Sequence, residues 1–160
     1  NEKFDIVICY GYGLILSNQQ IKKISKKIIN LHIGYLPFAR GIYPLLWSII
    51  FNKKVGCTIH TIENKEVDTG KLIFRKKINI TSTQSLKDIH RLCLEQINKI
   101  FMNKFYILIK KKNLKKIPTC KYYFNKSTSN KLILALPKKW NTKVSYLRSN
   151  SIKLKNFYKK

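Results

Sequence analysis

Short apolar runs alternate with a helical pattern at the start of the chain. The run Phe4–Tyr10 is rich in β-branched residues, which predicts a strand buried on both faces, as in a parallel sheet. Ser17 can cap a helix that extends through about Ser25, and Lys27–Leu31 predicts the next strand. Strand, helix and strand in this order are typical of an α/β unit, in which ligands bind at the carboxyl ends of the strands.

The alternation continues through the middle of the chain. Proline and glycine mark Leu36–Gly41 as a loop, and Tyr43–Asn52 is predicted to form a short helix. Val55–Ile62 alternates as a strand does, and the turn Glu66–Gly70 leads into a further strand over Leu72–Ile80. We therefore expect this turn to lie next to the ends of the strands.

Apolar residues recur at helical spacing in the second half of the chain. Ser85 to about Lys112 is predicted to be one long packing helix, and His90 within it is interpreted as structural. From Asn113 the chain becomes lysine-rich and then aromatic. There Tyr122–Phe124 and Leu132–Leu136 are predicted to pair as a small hairpin.

Length and composition favour one compact domain. The chain has 160 residues, of which 44% are hydrophobic, enough to bury a core. No apolar run reaches the length of a membrane span, and the chain starts at Asn1 without a signal peptide or an initiator Met. We therefore expect a cytoplasmic protein with no membrane association, whose sequence begins inside a longer protein. Its four cysteines are widely spaced, which predicts reduced thiols rather than disulfides or a metal site.

The net charge of +26 bears on possible partners. Such a charge normally indicates a polyanionic partner, and a basic module that binds nucleic acid through Tyr122, Tyr123 and Phe124 is one interpretation. The basic residues, however, are mostly lysines spread along the whole chain, among many Ile, Asn, Tyr and Phe. An AT-rich genome produces this mixture without selection for binding. We interpret the charge as mainly compositional, with phosphate-bearing substrates benefiting from it.

Three polar residues are candidates for chemistry. Asn30 and His32 are two positions apart on a predicted strand, so they face the same way and can present an amide and an imidazole to one point. Asp68 lies in the turn that we expect near the strand ends. His60, on the next strand, is a rival to His32, and Glu66 is a weaker alternative to Asp68.

The order of these motifs resembles a known family. Asn-x-His is followed by Leu-Pro-x-x-Arg-Gly, by Gly-x-Thr-Ile-His, and by Asp-Thr-Gly, whose Asp68 is thirty-six residues after His32. Together they resemble the formyltransferases that use 10-formyltetrahydrofolate. The resemblance implies a Rossmann-like α/β fold with a mostly parallel sheet, lacking the first βα units of the family, and a small carboxy-terminal extension. It implies a catalytic domain over residues 1–112 and a basic, aromatic extension over residues 113–160, with the hairpin.

The resemblance also implies roles for individual residues. Asn30 and His32 would donate hydrogen bonds to the formyl oxygen, and Asp68 would orient His32 and help to remove the proton of the amine, with no metal. The folate would lie against two backbone segments, Tyr10, Gly11, Tyr12, Gly13 and Leu14 in the first and Glu66 and Val67 in the second. An inactive fragment is the alternative if the missing units are needed.

The loop after His32 bears on the acceptor. Its sequence, through Pro44 to Trp47 and Ser48, is most similar to formyltransferases that act on nucleotide-linked amino sugars, as is Trp-Asn-Thr at residues 140–142. By this similarity the acceptor would contact Tyr35, Arg40, Gly41, Tyr43 and Trp47. Methionyl-tRNA is the less expected acceptor, and a homodimer is a possible assembly. Arg40 and Gly41 hold a substrate anion or only shape the loop, and the sequence leaves both open.

Overall fold

The computed structural model describes residues 4–38 and 40–159. Its strands are β1 (Phe4–Tyr10), β2 (Ser25–His32), β3 (Arg40–Gly41), β4 (Gly56–Thr61), β5 (Lys71–Lys77), β6 (Lys115–Lys116) and β7 (Tyr123–Phe124). Its helices are α1 (Asn18–Ile24), α2 (Pro44–Ile50), α3 (Leu86–Lys110), α4 (Lys126–Ala135), α5 (Val144–Ser149) and α6 (Ser151–Lys159), with a 3₁₀ turn at Lys139–Asn141. The strands and helices predicted before residue 112 are all present, with ends shifted by a few residues.

Five strands form the central sheet, in the order β1-β2-β4-β5-β6. The Rossmann-like α/β fold is confirmed, with β1 and β2 parallel and joined through α1. The expected parallel arrangement does not extend further across the described sheet, because β2–β4, β4–β5 and β5–β6 are antiparallel. The reason is the connection: β4 reaches β5 through a loop of nine residues, and a parallel partner needs a longer crossover.

The predicted hairpin in the extension is wrong. Leu132–Leu136 lies in α4 and at its end, and Tyr123–Phe124 pairs with β3 as a parallel two-stranded sheet. Asn125 caps α4 by accepting a hydrogen bond from the Thr128 amide. The buried residues of this segment, at positions 129, 132, 133 and 136, have helical rather than strand spacing.

The extension shares a hydrophobic core with the first part of the chain. Trp47 of α2 stacks on Phe124 of β7 with ring centroids 4.6 Å apart and an angle of 7° between the planes. Its indole Nε1 donates to the Ser129 hydroxyl of α4 at 2.9 Å. Residues of α3, α5 and α6 belong to the same cluster. Burial of these aromatic rings therefore ties β7 and α4 to α2.

The long helix α3 packs against one face of the central sheet. Ser85 starts it in a capping box, in which the Ser85 hydroxyl accepts from the Asp88 amide and the Asp88 carboxylate accepts from the Ser85 amide. Ile97 and Ile100 pack against β2, β4 and β5, and His90 faces the ring of Trp140 at 5.6 Å. Among the described helices, none combines the length and the apolar character needed to cross a membrane.

Candidate active site

The candidate catalytic residues meet at the carboxyl end of β2. Asn30 and His32 leave the same face of the strand, as predicted from their spacing. Asn30 lies opposite His60 in the antiparallel register of β2 and β4, so the two side chains are neighbours on that face. This pairing places His60 inside the cluster.

Asp68 approaches the cluster from the loop between β4 and β5. Its Oδ1 lies 3.3 Å from Asn30 Nδ2, 3.3 Å from His60 Nε2 and 3.6 Å from His32 Nδ1. Its Oδ2 accepts a hydrogen bond from the Gly41 amide at 2.8 Å. Asp68 has a left-handed backbone with φ of 56°, a conformation that aspartate tolerates better than most residues. The carboxylate therefore joins β2, β3 and β4 through its two oxygens.

The surroundings of Asp68 favour its ionised form. Burial alone would raise the pKa of this carboxyl, but the charge of His32, the hydrogen bond and charge of His60 and the Gly41 amide outweigh burial. Together they hold the pKa of Asp68 well below its usual range. At neutral pH the site thus contains a buried negative charge beside two imidazoles.

We expect this charge to link stability to pH. The folded-state pKa of Asp68 is below its unfolded value of about 4, so its stabilising contribution is present above about pH 4 and is lost as the pH falls towards the folded value. Urea unfolding at a series of acidic pH values measures this loss. Asp68→Asn should be less stable than wild type at neutral pH and should lose less stability on acidification, whereas the exposed control Glu95→Gln should follow wild type. Parallel curves for wild type and Asp68→Asn would contradict the assignment.

Hydrogen bonding fixes the orientation of His60. Its Nδ1 lies 2.8 Å from the Thr61 carbonyl oxygen, which only accepts, so Nδ1 carries a hydrogen. Its Nε2 therefore faces Asn30 and Asp68, either accepting from the Asn30 amide or, with a second proton, donating to Asp68. The sequence analysis made His60 a rival to His32. In the structure both imidazoles lie within ion-pair distance of the Asp68 carboxylate.

The geometry leaves one hydrogen of the Asn30 amide for a ligand. Asn30 Nδ2, His60 Nε2 and Asp68 Oδ1 are separated by 3.2, 3.3 and 3.3 Å, a nearly equilateral triangle. The angle between the two acceptors at Nδ2 is therefore about 60°, half of the about 120° between the two hydrogens of an amide nitrogen. The two hydrogens therefore cannot both align with these two acceptors, and a hydrogen directed between the acceptors leaves the other one outside the triangle.

The cluster opens into a cleft of about 880 Å³. Asn30, His32, His60 and Asp68 all line it, and so does every residue predicted to contact the folate: Tyr10, Gly11, Tyr12, Gly13, Leu14, Glu66 and Val67. Large apolar side chains remain exposed beside it, with Leu14 at 73% and Ile15 at 62%. The cleft has the size and apolar lining of a small-molecule site.

The residues predicted to contact the acceptor lie in different surroundings, some at the cleft and others away from it. Gly41 lines the cleft and donates to Asp68. Arg40 instead donates to two carbonyl oxygens, Val67 at 2.9 Å and Cys120 at 3.0 Å, and so connects the Asp68 loop to the segment before β7. Of the two interpretations left open for Arg40, these contacts favour loop shaping.

The three predicted aromatic contacts lie outside the lining of the cleft. Trp47 is fully buried in the core against Phe124. Tyr43 packs edge-on against Trp140 at 5.2 Å, and Tyr35 lies under the Arg75 guanidinium at 4.4 Å. These contacts indicate that the three aromatic side chains pack within the protein and hold the segment between β2 and α2 in place.

The lining includes residues that the sequence did not single out for this site. The lining also contains Tyr123, Lys126, His90 and Leu94. Burial lowers the pKa of His90, which favours its neutral form. Tyr123 and Lys126 were assigned to a separate extension, and the pairing of β7 with β3 brings them to the cleft. No group of His, Cys, Asp and Glu side chains within residues 4–38 and 40–159 has the arrangement of a metal site.

The sequence model of the formyl transferase family matches residues 1–104. The chain therefore belongs to the formyl transferase family. It is 30% identical over 96 residues to a methionyl-tRNA formyltransferase of Clostridium perfringens, a match covering 60% of this chain and 31% of that protein. It is also 30% identical over 169 residues to the bifunctional polymyxin resistance protein ArnA of Wigglesworthia glossinidia brevipalpis, covering 94% of this chain and 25% of that one. The chain thus spans only a quarter to a third of these two relatives.

A solved structure agrees with the fold over nearly the whole chain. The formyltransferase PseJ from Anoxybacillus kamchatkensis, in complex with UDP-4,6-dideoxy-4-formamido-L-AltNAc and tetrahydrofolate, is 30% identical, with a TM-score of 0.79. The match covers 92% of this chain and 78% of the PseJ chain. The unmatched 8% is about 13 of the 160 residues, fewer than the 48 residues after position 112, so the match extends into that last segment.

Proposed function

We propose that the protein transfers the formyl group of 10-formyltetrahydrofolate to the amine of a nucleotide-linked amino sugar. The observation that carries this proposal is the convergence of Asn30, His32 and an ionised Asp68 on one cleft. Two hydrogen-bond donors beside a carboxylate are what acyl transfer to an amine requires. Membership of the formyl transferase family supports the same reaction.

The cleft fits a folate on this chain's own features. The exposed apolar side chains of residues 10–15 offer a surface for a flat ring system, and the loop that ends at Asp68 lines the same cleft. When bound, 10-formyltetrahydrofolate supplies the formyl group in a form that an amine can accept. PseJ was solved with tetrahydrofolate, which supports this choice of co-substrate.

Asn30 and His32 would stabilise the negative charge that develops on the formyl oxygen. The amide hydrogen of Asn30 that points out of the triangle is a preorganised donor. His32 Nδ1 is at ion-pair distance from Asp68, and a His32 ring that carries both protons is a donor through each of its two nitrogens. Donors held in place before the reaction cost little reorganisation when charge appears.

Asp68 would keep these donors in place and receive the proton of the amine. Its ionised carboxylate favours a protonated His32, because opposite charges close together stabilise the charged forms. As the amine forms its bond to the formyl carbon it loses a proton, the bond between that carbon and N10 of the folate breaks, and N10 takes up a proton so that tetrahydrofolate leaves. Asp68 would accept the first proton and supply the second through one water.

The choice of acceptor rests on the second half of the chain. PseJ, in complex with a UDP-linked sugar, matches 92% of the chain, whereas the matches to methionyl-tRNA formyltransferases cover between 54% and 76% of it. β7 and α4 supply part of the lining of the cleft. A nucleotide-linked amino sugar is therefore the acceptor that we propose.

Methionyl-tRNA is the second candidate, favoured by the sequence similarity and by the charge of +26. Salt separates the two, since a tRNA held through many phosphates releases counterions and binds more weakly as salt rises. The test assays formyl transfer from 10-formyltetrahydrofolate, with products identified by mass spectrometry. We expect kcat/KM for a UDP- or dTDP-linked amino sugar to change only several-fold between about 50 and 200 mM salt, against a roughly 10³-fold loss for a tRNA interface. Formylation of methionyl-tRNA alone, with that steep loss, would overturn the proposed acceptor.

A further inference from the structure

The cleft has a second side, formed by β7 and the start of α4. Asp68 Oδ1 faces Asn30, His32 and His60, while Oδ2 faces the Gly41 amide of β3. β7 pairs with β3, with Arg40 opposite Tyr123 and Gly41 opposite Phe124. Tyr123 is therefore separated from Asp68 by β3. It lies on the side of the Asp68 carboxylate that faces away from Asn30, His32 and His60.

The ring of Tyr123 covers Gly41. A Cβ built on Gly41 would lie 3.0 Å from Tyr123 Cε2, so the ring is in close contact with the backbone that binds Asp68. Alternation along β7 sends Phe124 into the core and Tyr123 to the cleft, where 39% of its surface remains exposed. An open aromatic face next to the reacting carboxylate suits packing against a sugar ring.

Lys126 supplies positive charge on the same side. It is exposed, it lines the cleft, and its Nζ forms no hydrogen bond or ion pair within the part of the chain that the structure describes. The two carboxylates in the lining, Glu66 and Asp68, belong to the loop between β4 and β5. An unpaired ammonium three residues after an open aromatic ring can bind an anionic group joined to a sugar.

We propose that Tyr123 and Lys126 form the acceptor subsite, in which the Tyr123 ring packs against the amino sugar and Lys126 binds the diphosphate that links the sugar to its nucleoside. This assignment rests on the proposed function and extends it, because it says how the acceptor is held while its amine faces Asp68. It also gives a role to the segment after residues 1–104, the residues that match the family model: β7 and α4 select the acceptor.

Direct binding tests the Lys126 half of the subsite. We expect Lys126→Ala to weaken UDP or dTDP binding by about 10- to 100-fold in titration calorimetry, the usual loss for a charge-assisted hydrogen bond, with tetrahydrofolate affinity unchanged. The matched control is Lys131→Ala, an exposed lysine of the same helix outside the cleft lining, which should bind as wild type does. Equal losses in both variants, or no loss in Lys126→Ala, would overturn the assignment.

A sugar-bearing ligand tests the Tyr123 half. Tyr123→Leu should leave UDP affinity near normal and weaken UDP-4,6-dideoxy-4-formamido-L-AltNAc, the PseJ ligand, by roughly tenfold. Tyr146→Leu is the control, since Tyr146 has the same 39% exposure on α5 and does not line the cleft. Equal affinities of Tyr123→Leu and wild type for the sugar ligand would overturn this half.

The binding tests are independent of turnover. Lys126-dependent UDP binding without formyl transfer would refute the proposed reaction and leave the subsite intact. Formyl transfer to an amino sugar with no effect of Lys126→Ala or Tyr123→Leu would refute the subsite and leave the reaction. If the protein binds methionyl-tRNA and neither UDP nor dTDP, the subsite is wrong as a nucleotide-sugar site.

Discussion

Replacing His32 or Asn30 by alanine is expected to lower kcat by about 10² to 10³, the usual loss when one donor to a developing oxyanion is removed. Both residues lie at the end of β2 on the cleft, and Asp68 holds both through Oδ1. The loss should appear in kcat more than in KM, because the charge on the formyl oxygen grows only in the transition state.

Stability and a matched variant separate this effect from damage to the fold. Both variants should fold, with lowered melting temperatures because each loses a partner of the buried Asp68 carboxylate, so the kinetics are compared well below those temperatures. Asn64→Ala is the control for Asn30→Ala, since Asn64 also lines the cleft but is exposed and bonds only locally, to the Glu66 amide. Near-normal turnover in a well-folded His32→Ala or Asn30→Ala would remove that residue from the chemistry.

The convergence of Asn30, His32 and Asp68 could be predicted from sequence because much of it depends on local geometry. Strand alternation places Asn30 and His32 on one face wherever the strand lies, and the loop with Asp68 follows directly from the neighbouring strand. The helical repeat after Ser85 is equally local, and α3 begins directly after Ser85, where the predicted helix starts.

The errors arose where contacts between distant segments decide the structure. Trp47 and Tyr43 follow the Leu-Pro-x-x-Arg-Gly motif in sequence. In the structure their rings pack against Phe124, Ser129 and Trp140. Those partners are about eighty to a hundred residues away, and no local pattern contains that information. Apolar runs as short as Leu132–Leu136 fit a strand and a helix equally well, which is why the predicted hairpin failed.

The same limit hid the second side of the cleft. Tyr123 and Lys126 belong to a segment whose composition indicates only a basic, aromatic surface. Their proximity to Asp68 depends on the pairing of two residues of β7 with two of β3, which is too short to leave a strand pattern in the sequence. The residues that we propose to select the acceptor were therefore the least visible ones.

Gly41→Ala is expected to damage both stability and catalysis. Gly41 has φ of 88°, which only glycine adopts without strain, and a Cβ there would lie 2.3 Å from the Phe124 carbonyl oxygen. Relief of this clash must separate β3 from β7 and move the amide that donates to Asp68 Oδ2. We expect a loss of about 2 to 4 kcal/mol in the free energy of unfolding, from backbone strain and lost pairing. The loss of a hydrogen bond to a charged group should lower kcat by about 10- to 100-fold in the folded fraction.

Gly13→Ala provides the matched control for this substitution. Gly13 also lines the cleft, but its φ is not positive and a Cβ there would have no atom within 4 Å. It should therefore retain wild-type stability and kcat, although KM for the folate can rise because the added methyl group faces the cleft. Urea unfolding and steady-state kinetics on both variants decide the matter. If Gly41→Ala were as stable and as active as Gly13→Ala, the contact of β3 with β7 would not position Asp68, and the close packing of Tyr123 on Gly41 would have no bearing on the reaction.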